Sequence, residues 1–121
     1  MRLSRVPIIL SICATMLLFA SCGRQYKAEQ RVKDFVKENM QVADEISGRD
    51  FADIGTTRHI SDSLINVMRQ RGDKLYKSQI SYGAIPAGEL YYLRMRYIHK
   101  GDTLQNTFYL DQELTEVVAF K

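Results

Sequence analysis

The spacing of hydrophobic residues changes midway along this chain, and that change limits the folds available to it. From Tyr26 to about Ser47, apolar side chains recur every three or four residues, which is the spacing of one face of an α-helix. From Glu89 onward they alternate with polar residues, as in a strand that is covered on one face. A helical half followed by a strand-forming half predicts an α+β fold, with the long helix packed across an antiparallel sheet.

Two helices are predicted in the first half. The first runs from Tyr26 to about Ser47, and Gly48 is expected to end it. Residues 49–59 are interpreted as a connector. A second, shorter helix starts with Ser61 as its N-cap and stops at Gly72. The apolar face of this second helix is expected to consist of Leu64, Ile65 and Met68.

Four strands are predicted to follow as a meander. Their ranges are 76–82, 89–99, 104–110 and 116–120. Pro86 and its flanking glycines predict the first turn, and Lys100-Gly101-Asp102 predicts a tight hairpin. The complete prediction is therefore two helices on a four-stranded antiparallel meander sheet.

The start of the chain carries a signal about location. Arg2 and Arg5 precede an apolar run from Val6 to Ala20, shorter than the roughly 20 residues that span a membrane. A basic start, an apolar run and a small-residue exit are typical of a secretory signal peptide. The stretch 18–23, Leu-Phe-Ala-Ser-Cys-Gly, resembles the lipobox of bacterial lipoproteins. The alternatives are an uncleaved anchor, or a secreted protein whose cysteine is incidental.

The lipobox resemblance has consequences for anchoring. It implies that residues 1–21 are removed and that Cys22 carries two or three acyl chains, such as palmitate. Gly23 after the cysteine favours the outer membrane, and the absence of a following acidic run favours the periplasm-facing leaflet. Residues 22–25 are then expected to be a lipidated tether, and residues 26–121 a single domain. Any partner or ligand must be reachable at the membrane surface.

Composition narrows the classes of function. Of 17 basic residues, Arg2 and Arg5 leave with the leader, so 15 remain against 14 acidic residues, too small a surplus to predict nucleic-acid binding. Of the two cysteines, Cys13 lies in the leader and Cys22 takes the lipid, so no thiol pair remains. Neither histidine, His59 or His99, has metal-ligand spacing, and no nucleophile elbow or phosphate loop occurs. We therefore expect a protein that is not an enzyme and needs no metal or cofactor.

The order of the elements resembles the small NTF2-like (cystatin-like) lipoprotein domains. The closest local likeness is the final hairpin, in which Thr107–Asp111 runs into Glu116–Phe120. This resemblance implies a long N-terminal helix in the concave side of a bent antiparallel sheet. Many members of this family have a pocket between the helix and the sheet, and many form dimers, so the resemblance implies that this chain can have either feature.

Aromatic and basic residues on the strands suggest a surface for a protein partner. Those predicted to point away from the long helix are Tyr92, Arg94, Arg96 and Tyr109. Tyrosine and arginine are over-represented at binding hot spots. An envelope protein or a second copy of the chain is the expected partner, and no nucleic acid is expected. The structural alternative is a solvated face with ordinary cross-strand packing.

A second set of tyrosines suggests a pocket. Those predicted to face the long helix are Tyr76, Tyr82, Tyr91 and Tyr97. Buried tyrosine hydroxyls need hydrogen-bond partners, so these residues suit a site for a small amphipathic ligand. The structural alternative is that they fill the core. We rank the partner-binding face first and the ligand pocket second.

Overall fold

The computed structural model describes residues 23–58 and 60–121. Over these residues the chain has an α+β fold, with two helices packed on an open antiparallel sheet of five strands, so the predicted class is confirmed. The predicted leader at 1–21, Cys22 and His59 lie outside the described residues. No helix in the described part is long and apolar enough to cross a membrane.

The alternating half of the chain forms the centre of the sheet. Strands β3 (Tyr91–His99) and β4 (Asp102–Leu110) pair along their whole length, and β5 (Val117–Phe120) pairs with the far half of β4. Lys100 and Gly101 turn the β3–β4 hairpin with positive φ angles of 50° and 83°. That is the conformation of a two-residue hairpin turn, and it confirms the predicted position.

The strand count of four was wrong, because two segments were assigned incorrectly. Strands β1 (Ile46–Phe51) and β2 (Gly55–Thr56) come from the predicted helix end and connector, and both pair with β3. The predicted strand at 76–82 does not form, and Tyr76 makes only a single bridge, to Met40. The apolar residues of this segment alternate because their side chains pack individually against the core, and the segment does not pair with a neighbouring strand.

The first helix, α1 (23–39), is shorter at its end than predicted. The chain leaves the helix at Met40 and makes a 3-10 turn at Ala43–Glu45 before β1. Ala43 and Ile46 continued the helical spacing only because both pack against the same core after the turn. Gly48, expected to stop the helix, instead lies within β1 at a φ of 62°, where the pairing with β3 is irregular.

The first turn of α1 begins before Tyr26, where the helix was predicted to start. Residues 23–25 are helical. The Gln25 side chain donates from Nε2 to the Ala52 carbonyl at 3.0 Å, and its Oε1 accepts the Ile54 N–H at 2.7 Å. These two bonds attach the start of α1 to the chain between β1 and β2, so this turn belongs to the domain.

The main core lies between α1 and the sheet, and aromatic rings fill it. The ring centroid of Phe35 lies 5.8 Å from that of Phe108 and 5.6 Å from that of Phe120. The Tyr76 and Phe120 centroids are 4.4 Å apart. Such offset and edge-on pairs are favourable beyond the area they bury.

The second helix, α2 (Asp62–Arg71), packs on the opposite face of the sheet. The Ser61 hydroxyl accepts the Leu64 N–H at 3.3 Å and Gly72 closes the last turn, so both predicted ends are confirmed. Ile65 and Met68 bury themselves in a second core. The other buried members of that core are Leu90, Tyr109, Val118 and Ala119.

An arginine fixes the rotation of α2 on the sheet. Arg69 donates from Nε to the Val118 carbonyl and from a terminal nitrogen to the Gly83 carbonyl, both at 2.9 Å. This turns the Arg69 side of the helix toward β5. Leu64, predicted on the apolar face, lies on the other flank and is 51% exposed, so that assignment was wrong.

Two adjacent residues of α2 test this rotation. Ile65 is 1% exposed, so Ile65→Ala is expected to lower the free energy of unfolding by about 2–5 kcal/mol through lost contacts and a cavity. Leu64→Ala, which removes a similar volume, should change it by no more than about 0.5 kcal/mol. Urea unfolding followed by circular dichroism measures both; equal losses would contradict the rotation.

Candidate functional site

Two arginines lie exposed on the part of the sheet that α2 leaves uncovered. Arg94 and Arg96 alternate along β3 with buried residues that face α1, so the pleat directs both to the opposite side. Arg96 pairs in register with Gln105 on β4 and with Asp50 on β1. We call Arg94, Arg96 and Gln105 the arginine face; it borders a hollow of about 170 Å³.

No carboxylate of the described residues lies within ion-pair distance of Arg94 or Arg96, although Asp50 borders the same hollow. Among the described residues, the pairs of acidic and basic side chains within 4.0 Å are Arg31–Asp34 and His99–Glu45, and neither involves Arg94 or Arg96. The Arg94 guanidinium carbon lies 5.5 Å from the centre of the Tyr92 ring, which orients the side chain without satisfying its five N–H donors. Both guanidinium groups therefore remain free to bind a carboxylate in a bidentate manner.

The second helix covers half of the predicted partner face. Tyr109 is 8% exposed, and Tyr92 is half-buried; both pack in the core beneath α2. The expectation that Tyr109 lies on an open face was therefore wrong. A signal was available, because residues 107–110 and 117–120 are apolar at nearly every position, which is typical of strands covered on both faces.

The four tyrosines predicted to form a pocket all reach the α1 side but do not line one cavity. Tyr76 and Tyr97 are buried in the main core, and Tyr82 and Tyr91 pack half-buried against it. Tyr97 borders a cavity at the hairpin end of the sheet, whereas Tyr91 borders a hollow at the other end, near Gln25. The aromatic rings of the main core occupy the space between these two hollows.

Two of these tyrosines share one hydrogen-bond acceptor. Asn106 Oδ1 accepts the Tyr97 hydroxyl at 2.7 Å and the Tyr76 hydroxyl at 3.1 Å. Asn106 Nδ2 lies 3.4 Å from Asp73 Oδ2 and 3.4 Å from the Lys121 carbonyl. Asn106 is 3% exposed, and its partners satisfy the buried amide. Sequence reasoning missed this group, although a polar residue at an inward-facing strand position was the signal.

Burial keeps these hydroxyls protonated. It raises the pKa of Tyr97 to about 12, and the negative charge of Asp73 acts in the same direction. Burial also raises the pKa of Tyr82 to about 12, against the opposing effect of Arg69. The pKa of Tyr76 is raised further, again mainly by burial. At neutral pH all three are therefore neutral hydrogen-bond donors.

The cavity at the hairpin end has a volume of about 490 Å³ and a mixed polar lining. Asp73, His99 and Asp102 contribute to its wall. His99 Nε2 lies 3.5 Å from Glu45 Oε2, without hydrogen-bond geometry. No group of three or more potential metal ligands occurs among residues 23–58 and 60–121.

The raised tyrosine pKa values predict how stability depends on pH. In the unfolded chain tyrosine ionises near pH 10, whereas folded Tyr97 keeps its proton to about pH 12. The stability from this group is complete below about pH 10 and declines as the pH rises toward 12. Tyr97→Phe should make the decline in unfolding free energy less steep, because it removes the group whose pKa differs between the folded and unfolded chain. Urea titrations at several pH values measure the slopes; identical slopes for Tyr97→Phe and wild type would contradict the assignment.

The chain was also compared with known proteins. No protein-family model, curated protein or solved structure matches it. The function of the domain must therefore be inferred from its own surfaces. The arginine face and the cavity at the hairpin end are the two that combine charged and polar side chains with access to solvent.

Proposed function

We propose that this chain is a periplasm-facing lipoprotein of the outer membrane that binds an acidic protein partner through the arginine face. The observation that carries the proposal is the exposure of Arg94 and Arg96 without an ion pair in the described part of the chain. α1 and α2 each cover part of the sheet, and this strip stays accessible to a partner. In this proposal the domain acts by binding and not by catalysis.

Anchoring through Cys22 is supported by the leader pattern and by the start of α1. Two or more acyl chains hold a protein stably at a membrane, at about 0.8 kcal/mol per buried methylene group. Because α1 is already helical at Gly23 and Gln25 is bonded to the domain, little free chain separates Cys22 from the fold. A lipid on Cys22 would therefore hold the domain against the bilayer surface.

A protein surface suits the arginine face better than a small molecule does. Its hollow of about 170 Å³ is below the range of about 300–1,000 Å³ that ligand pockets occupy. Two exposed guanidinium groups on one strand can each bind a carboxylate on a partner's surface. A two-fold dimer through this face would bring like charges together, which disfavours it. An acidic envelope protein is therefore the proposed partner.

An NTF2-like (cystatin-like) fold is part of this proposal. What supports it is a long N-terminal helix packed across an antiparallel sheet that ends in a β4–β5 hairpin. The alternative function, binding of an amphipathic ligand in a tyrosine-lined pocket between helix and sheet, has weaker support. Packed aromatic rings fill that interior, and Tyr97 and Tyr91 border two different hollows.

Charge reversal tests the partner-binding proposal. The full lipoprotein is purified from detergent-solubilised membranes, its co-purifying protein is identified by mass spectrometry, and the dissociation constant is measured with both proteins purified. The double variant Arg94→Glu/Arg96→Glu should weaken binding at least about 100-fold, because two desolvated charge contacts are lost. Added salt should weaken wild-type binding as well.

Lys33→Glu/Lys37→Glu is the matched control, because it changes charge equally on exposed positions of α1, on the other side of the sheet. This control should bind as the wild type does. Equal affinity of the arginine variant and the wild type would refute the proposal. So would a lipidated protein that purifies without a stoichiometric partner.

The two cysteines test the anchor separately. Wild-type protein should have the mass of a chain that begins at Cys22 plus two or three acyl chains, and should sediment with membranes. Cys22→Ser should remove the acyl mass and release the protein from the membrane fraction. Cys13→Ser, which changes the other cysteine, should leave the mature mass unchanged. An intact leader on the wild-type protein would contradict the anchor.

A further inference from the structure

The cavity at the hairpin end of the sheet has the size of a small-molecule site. We call it the distal cavity; it lies between the β3–β4 turn and the segment 73–75, and its volume is about 490 Å³. Ligand pockets commonly occupy about 300–1,000 Å³. It lies apart from the hollow of the arginine face, on the side of the sheet that faces α1.

The charges around the distal cavity balance. Asp73 and Asp102 contribute two carboxylates, and Lys74 and Lys100 contribute two ammonium groups. A site that selects an anion or a cation carries an excess of the opposite charge. Carboxylates accept hydrogen bonds and ammonium groups donate them, so the lining offers both kinds of partner. That mixture matches a neutral molecule whose groups both donate and accept.

Part of the polar wall is held in position before any ligand arrives. Asp73 Oδ1 accepts the Leu75 N–H at 2.9 Å, and Asp73 Oδ2 lies 3.4 Å from Asn106 Nδ2. The Tyr97 hydroxyl is fixed by its 2.7 Å bond to Asn106 Oδ1. A site that is ordered in advance loses less conformational entropy on binding.

Two further features complement hydroxyl groups on a carbon ring. His99 contributes to the wall, and its buried Nε2 has no hydrogen-bond partner among the described residues. Leu75 and Leu104 give the wall an apolar part, against which C–H groups can pack.

From these features we propose that the distal cavity binds an uncharged, hydroxyl-rich small molecule of the saccharide class. This proposal does not rest on the partner proposed for the arginine face. It also lies near the C-terminal end of α1, since Gln41 donates its N–H to the Leu75 carbonyl, whereas Gly23 is at the other end. A helix of about 17 residues is roughly 25 Å long, so the cavity opens well away from the start of the domain.

Sugars that share one ring size and differ in charge test the proposal. Glucose, glucosamine and glucuronate, with cellobiose as a longer neutral probe, are titrated into the full-length protein. The detergent must lack a sugar headgroup, so that it does not compete. Saturation-transfer NMR and calorimetry should show binding of glucose and cellobiose, with both charged sugars at least about fivefold weaker.

Asp73→Asn and Asp102→Asn should each weaken binding of cellobiose about tenfold, because each replaces a charged acceptor by a neutral amide. Asp62→Asn, an exposed position at the start of α2, is the matched control and should bind normally. Unfolding midpoints of all three variants establish that they fold.

Three results would overturn the proposal. The first is the absence of saturation transfer to either neutral sugar. The second is tighter binding of a charged sugar than of glucose. The third is unchanged cellobiose affinity in folded Asp73→Asn and Asp102→Asn proteins. Loss of the protein partner in the arginine variant would affect none of these readouts, so the two proposals can fail separately.

Discussion

Burial of one strand on both faces determines the rest of this structure. Residues 106–110 of β4 are all buried, because α1 packs on one side of the strand and α2 on the other. Phe108 and Leu110 belong to the main core, and Tyr109 belongs to the core beneath α2. Arg69 reinforces the arrangement by bonding α2 to the carbonyl of Val118 on β5. Because this end of β4 is covered on both faces, the exposed positions of the strand lie at its other end.

The exposed end is the hairpin half of β3 and β4. Residues 102, 103 and 105 of β4 are exposed, and among the described residues β5 pairs only with the far half of that strand. Because side chains alternate along a strand, the polar and charged residues of this half point to both faces of the sheet. Arg94 and Arg96 point away from α1, whereas Tyr97 and His99 point toward it and border the distal cavity. The two candidate surfaces are therefore opposite sides of the same uncovered sheet.

Local patterns predicted the parts of the fold that depend on local physics. The Ser61 cap, the Gly72 stop and the turn at Lys100-Gly101 each follow from the conformational preference of a few residues. The sequence could not show which face of the sheet α2 would occupy, because that choice is a tertiary contact. For the same reason Tyr109 was expected to be exposed to solvent, and the cluster around Asn106, whose partners come from three separate segments, was missed.

Gln105 is shared by the two surfaces, so variants that are meant to distinguish them must be made at other residues. It borders both the distal cavity and the hollow of the arginine face. If both sites are occupied in the cell, contacts through this residue would couple them, and any coupling must be reciprocal. A change at Gln105 would alter both binding events and could not assign either one. Arg94 and Asp73 each border only one of the two surfaces, so changes there separate a partner on the exposed strand from a ligand in the cavity.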